Sequence, residues 1–233
     1  MTNQIHPTAV LQGEVILGRG NVVGPYAVLE GPLRIGDDNL IGPHACIGMP
    51  AAEIWRRRED PAGHRVEIGS RCIVREHASI QKPIYGDVTR LGDDVYVMHA
   101  VDVAHDCRLD DGAVCAANSA LAGISQLCER AYVAIGATVH QHAVIGHYAI
   151  VGASAAATRD LRPFTRLVPG QPATVNVYAI ERYGFGEHRD EIERYVREGR
   201  RPDSERIGAM VDEYELLHAR SGRGEHGAAR ASD

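Results

Sequence analysis

Aromatic residues are scarce in this chain: they fill 5% of its 233 positions, with two Phe and one Trp. That excludes a bulky core built on rings. The 25 glycines fit thin, closely stacked, repeated layers instead. No apolar run reaches the roughly 20 residues that a spanning helix needs, so no membrane span is expected. Basic charge is not in excess either. A formal net charge of -6 supplies no global field for nucleic acid, which is excluded as a partner. The opening MTNQIHPTAV lacks the basic start and apolar stretch of a secretory signal, so the expected location is the cytoplasm. Five cysteines (Cys46, Cys72, Cys107, Cys115, Cys128) are odd in number and lack the paired short spacings of zinc sites. They read as small buried thiols in a reducing compartment.

What the chain does have is a period of six. Stepping by six from Leu11 meets Leu17, Val23, Leu29, Ile35, Ile41 and Ile47. A second run goes from Leu91 through Val97, Val103, Leu109, Cys115, Leu121, Leu127, Val133, Val139, Ile145 and Val151 to Ala157. This period fits neither the helical 3.6 nor the alternation of a long strand. Each hexad holds a few extended residues and a turn, and three hexads make one triangular coil. Residues four places after the apolar sites are mostly small (Ala113, Ser119, Ser125, Ala131, Ala137), as a tight corner requires. A sandwich of short strands would need period two and variable spacing. The fold class expected is therefore mainly β, a left-handed parallel β-helix of hexapeptide repeats over residues 1–175, with a small helical domain after it.

The register breaks twice. Residues 49–66 carry MPAAEIWRRREDPAGHR and read as an extruded loop, and 81–90 as a smaller excursion. Loops inserted in solenoids usually project on the binding face. Beyond a Pro-rich exit, 176–218 read as helices, with Ile192, Tyr195 and Val196 on one apolar stripe and Ile207, Met210, Val211, Tyr214 and Leu217 on another. Residues 219–233 lack any apolar pattern and read as a disordered tail.

Of twelve histidines, His105 stands out. It follows the core residue Val103 by two places, and adding one coil of 18 residues gives Gly123, roughly 4.8 Å away as a neighbouring strand. A neutral imidazole and a bare backbone N–H then become neighbours. The first can take a proton from a hydroxyl, and the second can steady the oxyanion formed on an attacked thioester carbonyl. Asp106 could orient the imidazole, although consecutive residues on an extended strand diverge. A polar side chain on the solvated outside of a coil is the plain structural alternative for His105. A prism with His105 on its outside also has no cavity of its own, so a neighbouring subunit is expected to wall the site.

AHDC at 104–107, NSALAG at 118–123, VHQ at 139–141 and VN at 175–176, followed by ERYGF, resemble the UDP-N-acetylglucosamine acyltransferases that begin lipid A synthesis, in order and near-family spacing along nearly the whole chain. The resemblance implies a homotrimer with sites between subunits, a (3-hydroxy)acyl carrier protein as donor, a UDP-sugar as acceptor, and neither metal nor cofactor. It implies His105 as general base and Gly123 as oxyanion donor, with Asn118, His140, Gln141, Asn176 and Arg182 around the substrates. It also places Ala153 where family members have glycine, in a column with His99, Ala117 and Ile135 that borders the acyl cleft. A shorter donor pocket is the expectation. The chain departs from the pattern where the family has histidines, at Asp102 and Ile124. In the loop near the sugar diphosphate, Arg56 and Arg58 are approximate substitutes, and Tyr178 and Tyr183 replace an acidic residue and an arginine.

Other readings stay open at this stage. PGQPATV at 169–175 also resembles the exit segment of acetyl-CoA-using hexapeptide acyltransferases, so acyl-CoA is an alternative donor. Arg194, Arg197, Arg200, Arg201 and Arg206 could receive an acidic carrier protein or line a solvated helix face. His99, His105, His140, His142 and His147 supply ligand types for a γ-type carbonic anhydrase, whose spacing and arginine-aspartate pair are not evident here. A non-catalytic scaffold is the third class.

Overall fold

A computed structural model describes residues 2–52 and 64–227. Its body is the left-handed parallel β-helix, whose short strands stack into sheets of ten, eight and seven members among the described residues. Successive strands visit the three sheets in turn, so each sheet gains one strand per coil. Register follows the coil length: Asp102 pairs with Ala120, Ala120 with Thr138, and Thr138 with Ala156.

The hexad explains the geometry. In a two-residue strand the second side chain points inward, and Val97, Val103, Leu109, Cys115, Leu121 and Leu127 are all buried. The small residues that end each turn and immediately precede a strand, among them Ala113, Ser119, Ser125 and Ala131, are buried at the inner corners. Each turn closes with a residue in the left-handed region, including Asp106 (φ 60°), Asn118 (φ 58°) and Ile124 (φ 65°). Such backbone is unfavourable for a side chain beyond glycine, above all a β-branched one. The rungs hold it there: the Ile124 amide donates to the His105 carbonyl at 2.9 Å and that of Asn118 to His99 at 3.1 Å.

The outer faces differ. Val22, Leu40, Ile73, Tyr96, Val114, Tyr132 and Ile150 form one unbroken apolar row on the ten-stranded sheet. The seven-stranded sheet presents Arg34, Glu67, Arg90 and Arg108 in the corresponding row.

Both register breaks are narrower than the sequence suggested. The strand Cys46–Met49 and its successor Arg65–Ile68 take residues from each end of the first loop, and residues 53–63 lie outside the description. In the second, Ser79–Gln81 and Val88–Leu91 are paired strands, which leaves 82–87 as the excursion.

Past the coils, the chain forms α1 (Val177–Arg182), α2 (Arg189–Glu198) and α3 (Glu205–Ser221). Tyr148 stacks on Phe164 at 5.3 Å and Phe185 meets both edge-on, so an aromatic cluster seats the helices on the last coils. The expectation of a disordered tail from 219 is corrected as far as Gly227. The buried Asp160 carboxylate accepts from the Val144 amide, His218 Nδ1 and Ser221 Oγ, which pins the end of α3. Glu225 then pairs with Arg162 at 2.6 Å and accepts from the Tyr214 hydroxyl at 3.0 Å. These few polar anchors order a segment that carries no apolar pattern. Residues 228–233 are outside the description.

Candidate active site

His105 sits in the turn between Asp102–Val103 and Arg108–Leu109, at the corner where the eight-stranded sheet passes to the seven-stranded one. Its ring packs against the neighbouring rung: a methyl added to Gly123 would overlap the imidazole at Cε1 and Nε2. Only glycine leaves the ring this place. The Gly123 amide makes no hydrogen bond among the described residues. Amides at the second turn position are left over throughout this coil, and here one adjoins an imidazole.

Asp106 turns toward His105 rather than away. The strand has ended by residue 104, and the left-handed backbone of Asp106 swings its carboxylate back to His105 Nδ1, 2.8 Å away. The divergence expected of strand neighbours does not apply in a turn. The same carboxylate accepts the amides of Ile84 (2.9 Å), Tyr85 (3.2 Å) and Gly86 (2.7 Å) from the second loop. The Asp106 amide donates to Thr89 Oγ1 at 2.8 Å. Burial opposes the charge on Asp106, but the hydrogen bonds from His105 and the three amides outweigh it and hold its pKa below the ordinary carboxylate value. An ionised carboxylate only accepts, so the proton lies on Nδ1 and Nε2 is left as a base.

The other expected residues divide by corner. His140 and Gln141 share the corner of His105, one rung beyond Gly123. Asp102 and His140 line one groove of roughly 350 Å³, floored by Ala120, Ala122 and Ala156. Gln81 donates to the Asp102 carboxylate at 3.2 Å and accepts from the Ala52 amide at 3.0 Å, tying the first loop to that wall. Asn118 is exposed at the corner between the ten- and eight-stranded sheets, which also carries His99, Ala117, Ile135 and the exposed Ala153. Ile135 is 56% exposed. Asn176 is at the third corner, where its side chain donates to the Tyr148 carbonyl at 2.8 Å and caps α1 at Ala179. Both ends of that side chain are engaged in holding the fold. Arg182 is exposed on α1, its guanidinium 5.8 Å from the Tyr183 ring centre. A second cleft of roughly 350 Å³, walled by Tyr132, Tyr178, Tyr183 and Arg130, opens at this third corner, away from His105. Arg56 and Arg58 lie outside the described residues.

One chain therefore brings together His105, Asp106, Gly123, His140, Gln141 and Asp102, and separates them from Asn118, Ala153, Asn176 and Arg182. Sequence reasoning missed the clamp of Asp106 on residues 84–86 and the ring of Tyr85, 5.7 Å from that of His105. The register break before His105 was the available signal. The helical arginines are largely engaged: Arg197 with Glu193, Arg201 with Asp212, Arg194 with the Asp190 carbonyl, and Arg206 over the Phe185 ring.

No group of three or more His, Cys, Asp or Glu side chains able to hold a metal ion occurs among the described residues. No described helix is long and apolar enough to cross a membrane.

No family model matches the chain. It is 37% identical over 138 residues to the acyl-[acyl-carrier-protein]--UDP-N-acetylglucosamine O-acyltransferase of Alkalilimnicola ehrlichii, a stretch covering 57% of this chain and 54% of the relative. Against the protein of that name from Burkholderia thailandensis it is 32% identical over 161 residues, 67% of this chain and 55% of the relative. The chain thus spans about half the length of the curated relatives it matches. Among solved structures, the UDP-N-acetylglucosamine acyltransferase of Campylobacter jejuni superposes with a TM-score of 0.77 at 21% identity, covering 98% of this chain and all of that one. The UDP-N-acetylglucosamine O-acyltransferase of Moraxella catarrhalis gives a TM-score of 0.74 at 23% identity, over 95% and 99% of the two chains. In sequence along its coils the chain resembles the UDP-N-acetylglucosamine O-acyltransferases, and it has the fold of their solved structures.

Proposed function

We propose that the protein is an acyltransferase that moves a (3-hydroxy)acyl group from the thioester of acyl carrier protein to a hydroxyl, or an amine, of a UDP-linked amino sugar. The observation that carries this reading is the imidazole of His105 seated on Gly123, with Nδ1 bound to the Asp106 carboxylate. Nε2 of His105 takes the acceptor proton as the acceptor oxygen bonds to the thioester carbonyl carbon. The Gly123 amide donates to the oxyanion. Collapse breaks the C–S bond, and the imidazolium returns its proton to the departing thiolate. Asp106 fixes the tautomer and the ring, and no cofactor enters these steps. The names of the similar proteins support both the donor and the acceptor.

The working form is a homotrimer. Support comes from the distribution of the remaining candidates, Asn118, Ala153, Asn176 and Arg182, over the two corners that lack His105, since only another copy could bring such residues to it. The unbroken apolar row on the ten-stranded sheet supports it as well. The cytoplasm, where acyl carrier protein is charged, is the proposed location. A panel of acyl carrier protein and CoA thioesters against UDP-sugars, read by product mass, tests the reading. An O- or N-acylated UDP-sugar is expected, and release of acyl groups to neither acceptor overturns it. A product formed from acyl-CoA alone moves the donor to the CoA class.

A further inference from the structure

Resting on that reading, we infer that Tyr85 is an acceptor-specificity residue: its ring is the wall against which the sugar bearing the attacking hydroxyl stacks, and Asp106 fixes this wall and the general base as one unit. The loop at 82–87 buries Lys82 and Ile84 in its first half, with the Lys82 ammonium 3.2 Å from Glu30, while its exposed part at Tyr85 and Gly86 is fastened through backbone amides. Three consecutive amides, those of Ile84, Tyr85 and Gly86, converge on the Asp106 carboxylate that also binds His105. Hydrogen bonds to a charged acceptor are the strong kind, and four of them use up the oxygens of one carboxylate. Any shift of the loop would therefore disturb the imidazole, and the two move together or not at all.

This clamp holds a large ring outward. Tyr85 is 60% exposed, and its ring centre lies 5.7 Å from that of His105 at an interplanar angle of 59°. The neighbouring positions at this corner carry small residues, Ala104, Ala122 and Gly123. A hydroxyl that gives its proton to Nε2 must come within about 3 Å of it. The pyranose carrying that hydroxyl then lies within contact of a ring 5.7 Å from the imidazole. Residues 84–86 precede the rung of His105 and Gly123 lies on the rung after it, so the tyrosine and the oxyanion donor flank the imidazole from opposite sides, which assigns the tyrosine to the acceptor. A flat apolar face with a polar rim suits the C–H face of a sugar, since tyrosine presents contact area at low entropic cost.

The test compares wild type with Tyr85→Ala and Tyr85→Phe, using UDP-N-acetylglucosamine as the probe. Its binding is measured by calorimetry and, separately, its KM and the donor KM in the transfer assay. The expected result is acceptor binding and KM weakened about 5- to 10-fold in Tyr85→Ala, with donor KM and kcat within twofold, and near wild-type values in Tyr85→Phe. The inference is overturned by unchanged acceptor binding in Tyr85→Ala, by an effect on the donor KM instead, by dissociation of the oligomer as the sole effect, or by wild type that fails to bind the probe. Wild type that binds the probe but transfers nothing defeats the proposed reaction, and the calorimetric ratio still decides the role of Tyr85.

Discussion

His105 and Asp106 are consecutive in sequence, yet their side chains meet at 2.8 Å across a left-handed turn. The carboxylate that receives Nδ1 also gathers three amides of the loop at 82–87. The base is thus oriented by its own neighbour in the chain, and the neighbour is fixed by a loop that interrupts the repeat.

Asp106 gives a pH dependence of stability with a definite sign. Burial works against its ionised form, the hydrogen bonds prevail, and the folded pKa lies below the ordinary 3.8. Its contribution is present in full above that value and is lost as pH falls through the folded pKa. Urea unfolding of wild type and Asp106→Asn is expected to show a stability difference that shrinks as pH falls below about 4. A difference that persists undiminished well below the ordinary carboxylate range while wild type is still folded, or that grows there, contradicts the assignment.

Gly123→Ala places a methyl where the imidazole lies. The ring must leave Nε2's working position, so turnover should fall about 100-fold or more, as for loss of a general base. The coil should persist, because its register rests on the backbone. Circular dichroism and melting temperature near those of wild type, together with that loss, are the expected pair of readings.

Residues expected around the substrates occupy three different corners, so a monomer cannot assemble them. Sedimentation equilibrium at micromolar concentration is expected to give a trimer. Replacing Tyr132 and Ile150 on the apolar row by Glu should weaken it if the ten-stranded sheet forms the contact.

Ala153 is exposed and stands apart from the groove beside His140. Its effect on the acyl chain therefore depends on a neighbouring copy. With donors of increasing length, wild type should fall off sharply past its preferred chain, since one methylene that does not fit costs about 1–3 kcal/mol. Ala153→Gly should accept a longer chain; an identical length profile in both proteins removes the ruler role.

The coil was legible because each core position repeats in sequence at the interval that the strands repeat in space. Leu91, Val97 and Val103 could be assigned inward-facing places before any coordinates. So could the stacking of His105 on Gly123, which follows from one coil length. The direction of Asp106 was not legible, since it depends on a turn dihedral that aspartate tolerates without advertising. Nor was the apolar outer row of Val22, Leu40, Ile73 and Tyr96: it occurs on every third strand, and the extra residues between Leu40 and Ile73 and between Ile73 and Tyr96 break its interval. The tail to Gly227 is held by Asp160 and Arg162, two polar contacts with distant partners that leave no periodic mark.

The central claim is that His105 is the base of an acyl-transfer site. It is tested most directly by purifying wild type and His105→Ala side by side, confirming the same oligomeric state and melting temperature, and measuring transfer from acyl carrier protein thioester to UDP-N-acetylglucosamine. The account predicts loss of turnover by about 100-fold or more with a folded protein, whereas turnover near that of wild type in folded His105→Ala would contradict it.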